Sequence, residues 1–153
     1  MKAVIQRCLQ ACVAVDGKTV GEIGRGYVVL LGVEQGDDTR HADAVADKIY
    51  SMRLFCDENG KMNLPLSDVN GSVLVISNFT LCADYSHGNR PYFGSAAAPK
   101  EAQELYDHFC TSLENRVTVA KGIFGADMKL SLINDGPVTI TVDSCELKIK
   151  NNR

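Results

Sequence analysis

The stretch Leu132-Ile133-Asn134-Asp135-Gly136-Pro137-Val138-Thr139-Ile140-Thr141 sets two short β-branched runs on either side of a Gly-Pro dipeptide. Proline lacks an N–H and has a fixed φ, which keeps it out of the middle of a paired ladder. The chain is therefore expected to leave the sheet here, between strands over Asp127 to Ile133 and Val138 to Val142. A Gly-Pro bond also tolerates the cis peptide at about 0.5–1 kcal/mol over trans, so the carbonyls of Asn134 to Gly136 can be turned outward as a stiff backbone wall. The same dipeptide suits an ordinary turn. The choice between turn and wall rests on the remainder of the chain.

Outward from this stretch, 153 residues with 45% hydrophobic content suit one domain that buries a core without metal or crosslinks. A net charge of -3 with 23% charged residues gives no global attraction to nucleic acid or anionic membrane. A nucleic-acid partner would need a local basic patch. The apolar run Ala3-Val4-Ile5 is stopped by Gln6-Arg7, too short for a signal-peptide core, and no later stretch approaches a membrane span. A cytoplasmic protein is expected. The six cysteines, Cys8, Cys12, Cys56, Cys82, Cys110 and Cys145, show neither Cys-x-x-Cys pairing nor ligand spacing with histidine. Most are read as small buried hydrophobes in a reducing compartment, and Cys82, after a strand, is the one to watch.

In chain order, Ala3 to Val15 and Lys18 to Ile23 read as a hairpin closed by Asp16-Gly17. Tyr27 to Val33 is a continuous apolar run and suits a central strand buried on both faces. Asp38 or Thr39 caps a helix ending near Phe55, with Ala42, Val45, Ala46, Ile49 and Met52 on one face. Val73 to Ile76 is a second buried strand, which delivers Ser77-Asn78-Phe79-Thr80 at its end. A long connection, Ala83 to Ala98, carries aromatics and charge, a length that favours function over filler. Pro99 opens a second helix striped by Ala102, Leu105, Tyr106, Phe109, Cys110 and Leu113. Val117 to Ala120 is a short strand. The predicted fold is α+β: a single domain over 1–145, two packed and partly barrel-like sheets with two helices covering one outer face. A polar, fraying tail is expected over 146–153.

The familiar catalytic templates are missing: no Gly-x-Ser-x-Gly elbow, no His-Glu-x-x-His, and no phosphate loop ending in Lys-Ser/Thr. His41 and His108 fall on polar helix faces and are read as solvated, while His87 lies in the long loop. Three segments combine strand ends, hydroxyls and backbone donors: Ser77 to Thr80, Gly122 to Met128, and Asn134 to Thr139.

Ser77-Asn78-Phe79-Thr80-Leu81, Gly88-Asn89-Arg90-Pro91-Tyr92-Phe93, Ala96-Ala97-Ala98-Pro99, Phe124-Gly125-Ala126-Asp127-Met128 and Asn134-Asp135-Gly136-Pro137-Val138-Thr139 together resemble the D-aminoacyl-tRNA deacylase family. Met1-Lys2-Ala3-Val4-Ile5-Gln6-Arg7, Arg53-Leu54-Phe55 and Gly60-Lys61-Met62-Asn63-Leu64 share the likeness, which runs in order from Met1 to about Ser144. Against the pattern, Asn78 replaces a usual glutamine, Asn89 and Tyr92 replace an arginine and a serine, and Pro65 replaces a serine.

The resemblance implies a homodimer that hydrolyses the ester joining a D-amino acid, or glycine mischarged on tRNA-Ala, to the terminal adenosine of tRNA. It implies that Gly136-Pro137 is cis and reaches into the partner's active site as a chirality filter. Ser77, Asn78, Phe79 and Thr80 would form the catalytic segment, and Arg7, Arg90, Phe93, Ala126, Met128 and Asn134 the pocket and tRNA contacts. A backbone wall excludes an L side chain while leaving room for hydrogen, so selectivity would come from rejection. An aminoacyl ester is already reactive, and the amides near Phe79 and Thr80 are candidate oxyanion donors. The adenosine's own 2′-hydroxyl would assist, leaving Thr80, with no visible base, a positioning role. Arg7, Lys61, Arg90, Lys121 and Lys129 are the cations for phosphate contact. No cofactor, metal, membrane or DNA is expected. A relative with relaxed chirality and a nucleic-acid-binding module of the same fold are the alternatives.

Overall fold

The computed structural model describes residues 1–149. Its elements are β1 (Lys2–Val15), β2 (Lys18–Ile23), β3 (Gly26–Gly32), α1 (Thr39–Ser51), β4 (Phe55–Cys56), β5 (Met62–Leu64), β6 (Ser72–Ser77), α2 (Pro99–Glu114), β7 (Val119–Lys121) and β8 (Lys129–Asp143). The α+β class and the two helices agree with expectation.

The two packed sheets are halves of one coiled sheet of six strands, ordered β2-β1-β3-β6-β7 with β8 on the other side of β1, while β4 and β5 form a separate small hairpin. The long first strand makes this possible, because β1 pairs with β3 over its first half and with β2 over its second. The ends of the sheet meet closely: a methyl group at Gly21 on β2 would lie 2.6 Å from the carbonyl oxygen of Lys121 on β7. Only a residue without a side chain permits that approach, and it brings the sheet nearly to closure.

Strand β3 is central, antiparallel to β1 and parallel to β6. Its run is buried on both faces as predicted: Tyr27, Val29 and Leu31 join the core under the helices, and Val28 joins a second core inside the coiled sheet. In β6, Val73 and Val75 serve the first core and Leu74 and Ile76 the second. Each fully buried aliphatic side chain contributes about 1.5–3 kcal/mol.

One irregularity allows β1 to serve both cores. Cys8 pairs with Asn134 and Gln10 with Ile133, so Leu9 is an extra residue, half exposed, on the β1 side. Such a bulge reverses the faces. Ala3 and Ile5 therefore point toward the helices, whereas Ala11 and Val13, of the same parity, point into the coiled sheet.

Asp38 caps α1 as expected, its carboxylate accepting from the amides of Arg40 and His41. His41, predicted to be solvated, instead closes the capping box by accepting the Asp38 amide at 3.1 Å. The helix ends at Ser51, short of the predicted Phe55, because Phe55 is withdrawn to stack on Tyr27 at 5.2 Å. That pairing is worth about 0.5–1.5 kcal/mol and also starts β4, a hairpin strand that periodicity did not reveal. Pro99 stands at the first turn of α2 as predicted. His108, also read as solvated, ties α2 to α1 by a 2.8 Å contact with Asp43, which Ser112 joins from 2.7 Å. Leu147 packs on the helix-side core, so part of the segment expected to fray is held. Residues 150–153 of that tail lie outside the described residues.

Candidate active site

Both halves of the opening stretch belong to a single strand. β8 follows β1 from Asp143 opposite Lys2 to Lys129 opposite Ala14, and between the Gln6–Thr139 and Cys8–Asn134 pairs only Arg7 faces Asp135 to Val138. The expected pair of strands around a turn is therefore corrected. β1 is long enough to template pairing on both sides, so the proline-bearing residues protrude instead of reversing the chain.

Three sets of bonds stiffen this protrusion. Asn134 spans its neck: Oδ1 accepts the Val138 amide at 2.7 Å, and Nδ2 donates to the Val138 carbonyl at 3.2 Å and to Thr139 Oγ1 at 3.1 Å. Arg7 supports it from beneath, with Nε donating to the Asp135 carbonyl at 2.9 Å and lying 3.3 Å from that residue's carboxylate. Arg7 Nη1 meanwhile donates to the Leu54 carbonyl at 2.5 Å, anchoring the assembly to the β4 hairpin. Gly136 and Pro137 are exposed at the tip, joined by a cis peptide. Gly136 has φ +142, and a methyl group there would lie 2.7 Å from Val138 Cγ2.

The structure thus moves Arg7 out of the phosphate-binding set. Its side chain is only 9% exposed and is committed to carbonyls. Lys121 is paired with Glu114 at 2.8 Å and Lys129 with Asp127 at 2.9 Å, both at the exposed surface. Arg90 and Lys61 are exposed and form no ion pair among the described residues.

Ser77 ends β6 opposite Leu31, and the Asn78 amide donates to the Leu31 carbonyl at 2.8 Å. The chain then makes a short 3-10 turn over Phe79–Cys82. Its leading amides, Phe79 and Thr80, have no carbonyl one turn earlier to bond, as at any helix start. Thr80 Oγ1 donates to Asn78 Oδ1 at 2.5 Å. The shorter Asn78 is thereby spent on orienting Thr80, whose hydroxyl is bonded to no basic side chain among the described residues. Phe79 is 57% exposed, with its ring edge-on to Phe93 at 5.0 Å.

The third segment is brought near by packing. A methyl group at Gly122 would lie 2.5 Å from Met128 Sδ and 3.2 Å from Cδ1 of Ile76, the residue before Ser77. The Ala126 amide closes a turn onto the Ile123 carbonyl at 3.2 Å. Cys82 is buried beneath the turn with Sγ 3.6 Å from the Val33 carbonyl, and burial raises its thiol pKa, so it is an inert packing residue. A cavity of about 600 Å³ beside α1 shares no residue with any of these segments.

Within one chain the tip and the Ser77–Thr80 segment do not converge. Arg7, under the tip, pairs with Tyr27, whereas Ser77 pairs with Leu31. Those positions lie four residues apart on β3, roughly 13 Å along the strand. The resemblance implied a tip that serves the partner's pocket, but no sequence signal gave the strand register that sets the two segments at opposite ends of β3. Sequence reading also missed Asn134 as a neck clamp, although an amide side chain just before a Gly-Pro protrusion is a local signal for one.

A family model described as D-Tyr-tRNA(Tyr) deacylase matches residues 4–143. A D-aminoacyl-tRNA deacylase of Pelobacter propionicus is 54% identical over 144 residues, covering 94% of this chain and 99% of that protein. One of Geotalea uraniireducens is 51% identical over 154 residues, covering 100% of this chain and 99% of its own. Among solved structures, the c-Myc DNA Unwinding Element Binding Protein superposes with a TM-score of 0.89 at 37% identity, over 94% of this chain and 98% of the other. A probable eukaryotic D-amino acid tRNA deacylase superposes with a TM-score of 0.75 at 18% identity, over 92% of this chain and 97% of the other, a likeness of fold.

Proposed function

Since the chain belongs to the D-Tyr-tRNA(Tyr) deacylase family, we propose that it hydrolyses the ester joining a D-amino acid to the 3′ end of tRNA, in the cytoplasm and as a homodimer. Water adds to the ester carbonyl, the bond to the ribose oxygen breaks, and that oxygen leaves with a proton. Ser77, Asn78, Phe79 and Thr80 hold the ester, with the Phe79 and Thr80 amides meeting the developing oxyanion; losing one such donor costs about 3–4 kcal/mol. The adenosine 2′-hydroxyl assists, and Thr80, its proton directed at Asn78, positions the substrate.

The observation that carries the finer reading is the separation of the tip from Ser77. Gly136 and Pro137 are exposed on a stiff protrusion, yet their own catalytic segment lies at the other end of β3. A second copy is the natural source of a tip for each pocket. Its main-chain carbonyls would then occupy the space of an L side chain and admit hydrogen, so that D residues and glycine, including glycine mischarged on tRNA-Ala, enter. Arg90, Phe93, Ala126 and Met128 border that pocket, while Arg7 and Asn134 hold the tip.

Incubation with D-tyrosyl-tRNA and L-tyrosyl-tRNA tests the activity: loss of the D-ester alone supports it, and loss of both esters indicates relaxed chirality. The likeness to a protein named for binding a DNA element favours a second reading, a nucleic-acid-binding module, which predicts binding without loss of either ester. Dilution tests the dimer, because activity per chain should fall as the copies separate.

A further inference from the structure

The connection between β6 and α2 is ordered where it approaches the candidate site. Asp84 and Tyr92 exchange both backbone hydrogen bonds, at 2.8 and 3.0 Å, and Ser95 Oγ donates to the Cys82 carbonyl at 3.0 Å. Gln35 Nε2 donates to the Gly94 carbonyl at 2.8 Å, and the Ala97 amide donates to the Val33 carbonyl at 3.0 Å. This framework fixes Phe93 against Phe79 of the catalytic segment.

On that frame, Tyr92 is 69% exposed, the most open of the large apolar side chains. The ring is not loose: it lies so close over Gly94 that a methyl group at that position would overlap it. An aromatic face held in place yet left to water is hydrated at a cost, and a flat π partner removes that cost. Arg90, two residues earlier, is exposed and forms no ion pair among the described residues. An ordered ring two residues from a guanidinium that forms no ion pair among the described residues is a combination suited to single-stranded nucleic acid, one group meeting a base and the other a phosphate.

Resting on the deacylase reading, we propose that Tyr92 is the stacking platform for the 3′-terminal nucleobase of the aminoacyl-RNA and that Arg90 meets an adjacent phosphate. Tyr92 is then a specificity-determining residue for the RNA end, distinct from the groups that handle the amino acid.

The test compares the wild type with Tyr92→Ser and Tyr92→Phe. D-Tyrosyl-tRNA kinetics are measured together with the fluorescence of uncharged tRNA carrying 2-aminopurine as its terminal base, which stacking quenches. Tyr92→Ser should raise KM about tenfold with kcat within about twofold, and should abolish the quench. Tyr92→Phe should retain both. An unchanged KM with persistent quenching in Tyr92→Ser overturns the proposal. So does a fall in melting temperature and kcat at constant KM, which would make the ring a loop staple, or a weaker dimer at constant KM, which would place it between subunits. Absent D-ester hydrolysis with wild-type quenching defeats the deacylase reading and leaves the platform standing. Intact hydrolysis without quenching defeats the platform alone.

Discussion

Arg7 Nε lies 2.9 Å from the main-chain oxygen of Asp135, which joins the first strand to the base of the proline-bearing tip across 128 residues of sequence. The bond is partly buried, charge-assisted and directed at a carbonyl, so it governs the orientation of backbone rather than the binding of an anion.

Arg7→Met should therefore damage selectivity before it damages catalysis. Two carbonyls, of Asp135 and Leu54, lose a charged donor, at about 1.5–3 kcal/mol for each such bond. The expected result is a lower melting temperature and a narrowed ratio of D- to L-tyrosyl-tRNA hydrolysis. An unaltered ratio in a folded variant would remove Arg7 from the selectivity apparatus.

Gly136→Ala places a methyl group 2.7 Å from Val138 Cγ2 and 2.9 Å from the Val138 amide, at a φ of +142. The tip must shift, at about 1–3 kcal/mol, and under the proposed filter the pocket becomes narrower. Hydrolysis of both D-tyrosyl- and glycyl-tRNA should fall by roughly a hundredfold, about 2.7 kcal/mol. Circular dichroism should report an intact fold, because the residue is exposed. Full D-ester activity would count against the filter.

Thr80→Ala separates positioning from nucleophilic attack. The hydroxyl donates to Asn78 at 2.5 Å, so its removal should cost about tenfold in single-turnover rate, a single hydrogen bond's worth. A loss of ten-thousandfold or more, without change in binding, would restore Thr80 as the nucleophile.

Acid should destabilise the fold in a defined window. The side chain of Arg40, then the amides of His41 and Arg40, holds the Asp38 carboxyl well below the usual range, and the amide of Lys61, then that of Asn59, does the same for Asp57. A lowered native pKa means that the charged form stabilises the fold above the unfolded value of about 3.9, and that this contribution disappears as pH falls through the native value. Melting temperature should be flat from about pH 7 to 5 and decline below about 4. In Asp38→Asn that decline should be shallower. The groups are exposed, so solvent screening keeps the effect modest.

Much of this was legible because local and global signals agreed. The Asp16-Gly17 turn, the doubly buried run at Tyr27, the cap at Asp38 and the proline opening α2 each announce themselves in a few residues. Phe55 fitted the helical stripe but was claimed by a stack on Tyr27, a partner 28 positions away. Likewise, charge type marked Arg7 and Lys121 as phosphate cations, and only three-dimensional neighbours revealed one as a carbonyl prop and the other as half of a pair with Glu114. For the candidate site, its segments were readable, but their distribution between the two ends of β3 depended on strand register, which no short window encodes.

The bulge at Leu9 also bears on how the molecule opens. Because one continuous strand supplies Ile5 to the first core and Val13 to the second, neither core can melt while the other survives intact. Amide protons of β3 and β6 should accordingly exchange with solvent at one common, slow, global rate, and subglobal opening is confined to the connections. Any breathing must then arise in connections outside the bonded Asp84, Tyr92 and Ser95 frame, with the barrel acting as their fixed mount.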